Sequence, residues 1–254
     1  EGDMVTLMVG DTSGGSPGSR AQTFCKDLFE FRVAVDWCGT WVYEEVPSPK
    51  VPIESGPAHR LVVLGPSEVT PEETAWVGVK AEDVWGNPSA DYNGEVRIDS
   101  GGLSGLPEVY RFQPEDRGIM RFEGVRAPRP GLFRVRAEDR RGGLSAEGNP
   151  LRCVEARGPY RPFWGDLHGQ SEETVGTNPV SSHFRFARDA AMVDFAGHQG
   201  NDFQITRDIW AEIRKQANAS NEPGRFVALV GYEWSGNTPL GGDRNVLYAG
   251  DDGP

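Results

Sequence analysis

Three short stretches of this chain gather side chains of the kinds that hold cations or move protons. In the first, Asp166-Leu167-His168-Gly169-Gln170, the two-residue period of a strand puts a carboxylate, an imidazole and an amide on one face. The second, His198-Gln199-Gly200-Asn201-Asp202, offers an imidazole, amides and a carboxylate on a glycine-hinged loop. The third, Gly231-Tyr232-Glu233-Trp234-Ser235-Gly236-Asn237, sets one acid among large apolar residues. Imidazole and carboxylate suit a divalent metal, for which an amide oxygen is a weaker ligand. A glutamate at a buried strand end is costly unless neutralised or paired, and a bound cation would pair it. Further on, Asp243-Arg244-Asn245 adds a guanidinium whose fixed fork suits phosphate or carboxylate.

Around these stretches strand-like and helix-like segments alternate, the pattern of an α/β domain. The sequence predicts a strand over Phe163–His168 and a helix capped by Asn178, with Pro179 at its first position, running to Met192. A strand over Val193–Gly197 and an amphipathic helix bearing Ile205, Ile209, Trp210, Ile213 and Ala217 follow. Strands over Phe226–Glu233 and about Asn245–Tyr248 complete the series. The three clusters thus fall at the carboxyl ends of strands, where α/β folds build their sites. About three βα units fit residues 158–254, whereas a closed barrel needs roughly 250 residues. The expectation is a chain that stops in mid-domain.

Upstream, residues 55–157 read as a succession of short strands: Arg60–Leu64, Ala75–Ala81, Gly94–Ile98, Val109–Phe112, Ile119–Phe122, Gly131–Ala137 and Leu151–Glu155. That number of strands with regular turn signals is the form of an immunoglobulin-like β-sandwich. Trp85-Gly86-Asn87-Pro88 is a turn in it, its Trp expected to pack on its own domain. Residues 1–54 form a β-rich N-terminal segment that includes the near-alternating run Phe29–Val35 and ends in Pro47, Pro49 and Pro52. The fold class is therefore multidomain, β followed by α/β.

Composition narrows the function classes. Gly 33 and Pro 19 together make about a fifth of the 254 residues, which argues against a helical bundle. Twenty-six basic against 38 acidic residues give a net charge of -12, the wrong sign for a generic nucleic-acid binder. No run approaches the ~18 apolar residues of a membrane span. The chain opens on Glu1, so the lack of a leader there carries no weight. Cys25, Cys38 and Cys153 form no CxxC pair and read as buried thiols, with Cys25–Cys38 the one bridge left open. His183 reads as a surface residue and His59 as structural, and Asn218-Ala219-Ser220, though a glycosylation pattern, falls at a helix end.

In combination these motifs resemble a family. Gly165-Asp166-Leu167-His168-Gly169-Gln170-Ser171, the run from Asp194 to Asp202, Gly231-Tyr232-Glu233-Trp234 and Gly242-Asp243-Arg244-Asn245-Val246 look like the DUF3604 branch of the PHP (polymerase and histidinol phosphatase) metal-dependent phosphoesterases. Upstream, Gly10-Asp11-Thr12, Phe29-Glu30-Phe31 and Ala81-Glu82-Asp83-Val84-Trp85-Gly86-Asn87-Pro88 look like the β-rich leader of that branch. The resemblance implies that residues 158–254 are the first part of a distorted PHP-type (β/α)7 barrel, with divalent manganese, zinc or iron activating water against a phosphoester. By position His168 matches the first His of the family's HxH motif, Glu233 a later carboxylate ligand, and Arg244 with Asn245 an Arg-Asn pair. Gln170 stands where the second His belongs, and Asp243 where His often precedes Arg-Asn. The Thr-Asp-His expected after the second strand is replaced by Gly200-Asn201-Asp202, and His198 or Asn201 fills that place.

The expected function is a metal-dependent hydrolase, with His168, Gln170, His198, Asn201, Asp202 and Glu233 as the candidate metal ligands. Asp166 would orient His168 or bridge metals, Arg244 would neutralise the leaving anion, and Asp243 and Asn245 complete the candidate catalytic set. Expected partners are a small anionic, phosphorylated substrate and either the remaining barrel segment or a second copy. No nucleic acid and no membrane span is expected. Sandwich leaders are common outside the cytoplasm, and by that analogy the reading leans to a periplasmic or other extracytoplasmic place. Two rivals stand beside this reading: hydrolysis of an amide or carboxylic ester by the same site, and a noncatalytic binding or assembly module with a decayed barrel.

Overall fold

The computed structural model describes residues 6–236 and 241–253, and these divide into two compact units, Glu1–Ser55 and Gly56–Pro254. Asn237, the last residue of the third polar cluster, lies outside the described residues. The first unit holds two small antiparallel ladders. Strand β1 (Lys26–Glu30) pairs with β4 (Lys50–Ile53), and β2 (Ala34–Val35) with β3 (Glu44–Glu45). The run Phe29–Val35 was expected to be one strand, yet it changes partner midway. The Phe31 N–H goes to the Pro49 carbonyl and the Val33 N–H to the Ser48 hydroxyl, so the backbone leaves the first ladder before it enters the second.

The second unit opens with a β-sandwich. Its strands are β5 (Arg60–Leu64), β6 (Glu68–Val69), β7 (Ala75–Glu82), β8 (Glu95–Asp99), β9 (Val109–Arg111), β10 (Ile119–Val125), β11 (Gly131–Phe133), β12 (Arg136–Asp139), β13 (Leu144–Glu147) and β14 (Leu151–Cys153). They form sheets of order β10-β7-β5, β13-β12-β8-β9 and β11-β14-β6. Alternation decides which side chains turn inward: on β8, Val96 and Ile98 are buried while Glu95, Arg97 and Asp99 are exposed. One core joins Leu61, Val77, Val79, Val96, Phe112, Val125, Phe133 and Leu151 from all three sheets. Each such fully buried side chain contributes ~1.5–3 kcal/mol.

Central strand β7 is buried along almost its whole length, which requires its charges to be paired. Lys80 Nζ lies 2.9 Å from Glu82 Oε1, and the Arg60 guanidinium binds Glu82 Oε2. The predicted strand Gly131–Ala137 divides into β11 and β12, because the chain crosses here from one sheet to another. Trp85 is 57% exposed at its turn, contrary to the packed tip expected, while Cys153 is buried in the core and Cys38 is exposed.

The α/β part follows in the same unit: β15 (Gly165–Gly169), α1 (Val180–Arg185), β16 (Phe195–His198), α2 (Arg207–Ser220), β17 (Val227–Leu229), β18 (Gly231–Gly236) and β19 (Gly242–Leu247). Strands β15, β16 and β17 make a parallel sheet in sequence order, and β18 and β19 an antiparallel hairpin. The expected strand Phe226–Glu233 breaks at Val230, where the chain leaves the parallel ladder for the hairpin. The first helix starts one residue later than expected: Asn178 takes a left-handed conformation (φ 60°), which Asn tolerates, and Pro179 is the cap. It is α-helical only to Arg185 and then widens into a π-turn over Phe186–Ala191. Helix α2 is capped as its sequence suggests, the Thr206 hydroxyl accepting from the Ile209 N–H. A second core joins Val180, Phe184 and Ala187 to Ala196, Ile213, Ala217, Phe226 and Val230. A side chain at Gly78 of β7 would run into Met192, so this part sits directly on the sandwich. No helix among the described residues is long and apolar enough to cross a membrane.

Candidate functional site

The loop after β16 is held like a strand between its neighbours. The Gln199 N–H donates to the Gly169 carbonyl on one side; on the other, Glu233 N–H donates to Gly200 O and Asp202 N–H to Glu233 O. This lacing carries the ends of β15, β16 and β18 side by side. Two glycines permit the close approach: a Cβ at Gly169 would strike the His183 ring, and one at Gly231 would strike the Gln199 amide and the Val246 carbonyl.

Glu233 is the centre of what results. Its side chain is buried, and Oε2 accepts from Gln170 Nε2 at 3.0 Å and from Asn201 Nδ2 at 2.8 Å. His168 Nε2 stands 3.9 Å from the same oxygen. The His168 ring is half-exposed, and its Nδ1 is 2.7 Å from Asn245 Oδ1, across the hairpin from Glu233. Asn201 Oδ1 is buried and has no hydrogen-bond partner. Of the residues expected at the site, His168, Gln170, Asn201, Glu233 and Asn245 are therefore gathered.

The others stand elsewhere. Asp166 accepts from the His168 backbone N–H at 2.8 Å, so it shapes the strand end, and the ring is held by Asn245 instead. Asp202 accepts from the Ser235 N–H at 3.3 Å. Asp243 is exposed opposite Ser235. Arg244 lies across from Trp234, its guanidinium 5.8 Å from that ring, one residue out of phase with the Glu233–Asn245 pair and so on the other face. A substrate clamp at Glu233 is not where the hairpin register puts it.

His198 turns into the core. It is fully buried, with Nε2 2.7 Å from the Ser171 hydroxyl and Nδ1 accepting from the Gly200 N–H, which leaves Asn201 in the place the sequence left open between the two. His183, expected at the surface, is packed against it with ring centroids 5.7 Å apart, since α1 turns this face inward under Gly169. Nothing in the isolated His183 triplet with Ser181 and Ser182 signalled this. Burial, with a smaller push from His183, holds the His198 imidazole down at about 3. An unfolded imidazole titrates near ~6.5, so below that pH the unfolded chain binds a proton the folded chain refuses. This contribution to stability is intact above pH ~6.5 and falls as pH drops toward about 3, by up to ~1.4 kcal/mol per pH unit. His183, also lowered by burial, acts in the same direction. Urea midpoints between pH 7 and pH 4 should fall less steeply in His198→Gln than in the parent; parallel slopes would contradict this.

His168 Nε2 and Glu233 Oε2 stand 3.9 Å apart, wider than the ~3.4 Å between two ligands of a tetrahedral ion with bonds of ~2.0–2.2 Å, so a small side-chain shift would bring both onto one ion. The unpartnered Asn201 Oδ1, on the amide whose Nδ2 donates to Glu233, is a third candidate donor and the second oxygen. Among the described residues no three His, Cys, Asp or Glu side chains converge, so a site here relies on amide oxygen beside one imidazole and one carboxylate. On those terms the residues fit a single divalent ion.

Comparison with known proteins adds the following. A glycosyl hydrolase family 2 member from Bacteroides cellulosilyticus aligns over 44% of this chain and 16% of its own at 14% identity and TM-score 0.35. The D00-D0 domain of intimin aligns over 51% and 65% at 12% identity and TM-score 0.32. The description of the fold rests on the sheets themselves rather than on these. An uncharacterized protein of Chlamydia pneumoniae is 25% identical over 260 residues, and one of Chlamydia muridarum 24% over 255. Each alignment takes in 97% of this chain but 41% of the relative, so the chain spans about two fifths of their length. Residues 167–254, which include every residue gathered around Glu233, match the model of the family described as "Protein of unknown function (DUF3604)".

Proposed function

We propose that this site belongs to a divalent-metal-dependent hydrolase acting on phosphoesters, the three parallel strands being the opening of a PHP-type barrel. The observation that carries the reading is a buried carboxylate on the β18–β19 hairpin and an imidazole near the carboxyl end of parallel strand β15 facing each other at 3.9 Å. The gathered side chains are neutral or acidic, and Arg244 lies on the other face. Such a pocket would repel an anionic substrate unless a cation reset its local field.

His168 and Glu233 would hold the ion, with Asn201 Oδ1 as an oxygen donor; Gln170 Oε1 already accepts from the Thr174 hydroxyl at 2.8 Å. Gln170 and Asn201 also hold the Glu233 carboxyl in place through the N–H bonds they donate to Oε2. Once bound, a divalent ion lowers the pKa of a water and polarises the scissile group. Manganese, zinc and iron are the metals to try.

Hydrolysis of p-nitrophenyl phosphate, bis(p-nitrophenyl) phosphate and p-nitrophenyl acetate, each with added Mn2+, Zn2+ or Fe2+ and after EDTA, tests the proposal. Metal-dependent turnover of a phosphoester that EDTA abolishes is expected. Turnover of the acetate alone would transfer the site to carboxylic esters. A second reading has its own observation: two amide donors already satisfy Glu233 Oε2, as they would in a noncatalytic polar latch. No turnover with any metal would favour that latch.

A further inference from the structure

The geometry points to Asn245 as the residue that sets the tautomer of His168, leaving the Nε2 lone pair aimed at Glu233. Asn245 Nδ2 donates to the Leu167 carbonyl at 2.9 Å, and a carbonyl only accepts, so the amide cannot flip without setting two oxygens against each other. Its Oδ1 is thereby turned to His168 Nδ1 at 2.7 Å. An amide oxygen also only accepts, so the proton of the neutral imidazole must sit on Nδ1. Nε2 is then bare, and it is this nitrogen that stands 3.9 Å from Glu233 Oε2 with no hydrogen bond between them.

Two lone-pair groups held face to face form a poor contact for the protein alone and a prepared one for a cation. The hairpin supplies this device through register: Asn245 is the direct cross-strand partner of Glu233, so one pair of residues on β18 and β19 presents both the carboxylate and the group that orients the imidazole. Asn245 is thus a positioning residue, acting through His168 in the manner of the carboxylate or carbonyl that fixes a metal-binding histidine. The purpose of the arrangement rests on the metal reading above. The tautomer itself does not.

The test is a long-range 1H–15N NMR spectrum of the 15N-histidine-labelled chain, without metal, at about pH 8 where imidazole is neutral. Only four histidines are present, and His168→Ala identifies the His168 signals. The parent should show a protonated Nδ1 and a bare Nε2 at His168. Asn245→Leu should give a mixture of tautomers. Asn245→Ser, too short to reach the ring, stands in if the leucine variant fails to fold. A proton on Nε2 in the parent, or a tautomer unchanged in both Leu and Ser variants, would overturn the proposal. Calorimetric titration with Zn2+ separates it from the metal reading: affinity should fall roughly 10–100-fold in Asn245→Leu. The expected tautomer without any zinc binding in the parent would sink the metal reading and leave the role of Asn245 standing.

Discussion

If the site holds a metal as proposed, Glu233→Ala should abolish binding of divalent ions while the chain stays folded, and His168→Ala should do the same. The two changes reach that result by different routes. Glu233 is 6% exposed and receives both amide N–H groups, so alanine there also strands the Gln170 and Asn201 donors, at a cost of ~1–3 kcal/mol. His168 is half-exposed and its loss should leave stability nearly unchanged. Glu233→Gln keeps the volume and removes the charge, and so separates a ligand from a structural acceptor. If Glu233 is a ligand, the glutamine variant should lose more than about 100-fold in affinity, beyond the roughly 10–100-fold that loss of a supporting partner costs. Activity toward a phosphoester should fall with it. Calorimetry with Mn2+ and Zn2+ beside far-UV circular dichroism reads both quantities. Parent-like affinity in Glu233→Gln and His168→Ala together would remove these residues from any metal site.

The second large effect lies beneath the site. Phe184→Ala should destabilise the Gly56–Pro254 unit by ~3–5 kcal/mol, the usual cost of emptying a fully buried phenylalanine position. Phe184 has no exposed surface and joins α1 to Ile213 and Ala217 of α2 and Ala196 of β16. The same helix carries His183 beneath Gly169, the residue next to His168, so the cavity should also loosen the end of β15. At ~2–4 °C per kcal/mol for a domain of this size, the melting temperature drops by roughly 6–20 °C. Thermal and urea unfolding measure it. A loss below about 1 kcal/mol would mean that this core is not packed as described.

Much of this was legible because strand ends announce themselves. A polar residue that ends an apolar run marks where the backbone leaves the sheet, which is why His168, Gln170, Asn201 and Glu233 were marked before their meeting was visible. The strand pattern of Gly94–Ile98 likewise located β8. What alternation does not carry is the identity of the partner. Gly131–Ala137 and Phe226–Glu233 each keep one strand-like pattern while the backbone changes sheets within them.

Side-chain direction at the site depended on such register. Arg244 and Asn245 are adjacent in sequence, yet their cross-strand partners, Trp234 and Glu233, put them on opposite faces. The choice between His198 and Asn201 turned on where the loop hydrogen bonds fall. The parallel bridge of Asn201 to Glu233 brings the amide to the carboxylate and sends the imidazole to Ser171. His183 gave no signal, because its burial follows from the packing of its helix face beneath Gly169 and beside His198, which the local sequence does not display.

The most direct test of the central claim is the metal content of the purified chain, measured by elemental analysis on the parent and His168→Ala grown in the same metal-supplemented medium. The account predicts near-stoichiometric manganese, zinc or iron in the parent and a large fall in the variant. Equal metal in both, or none in the parent, would contradict it.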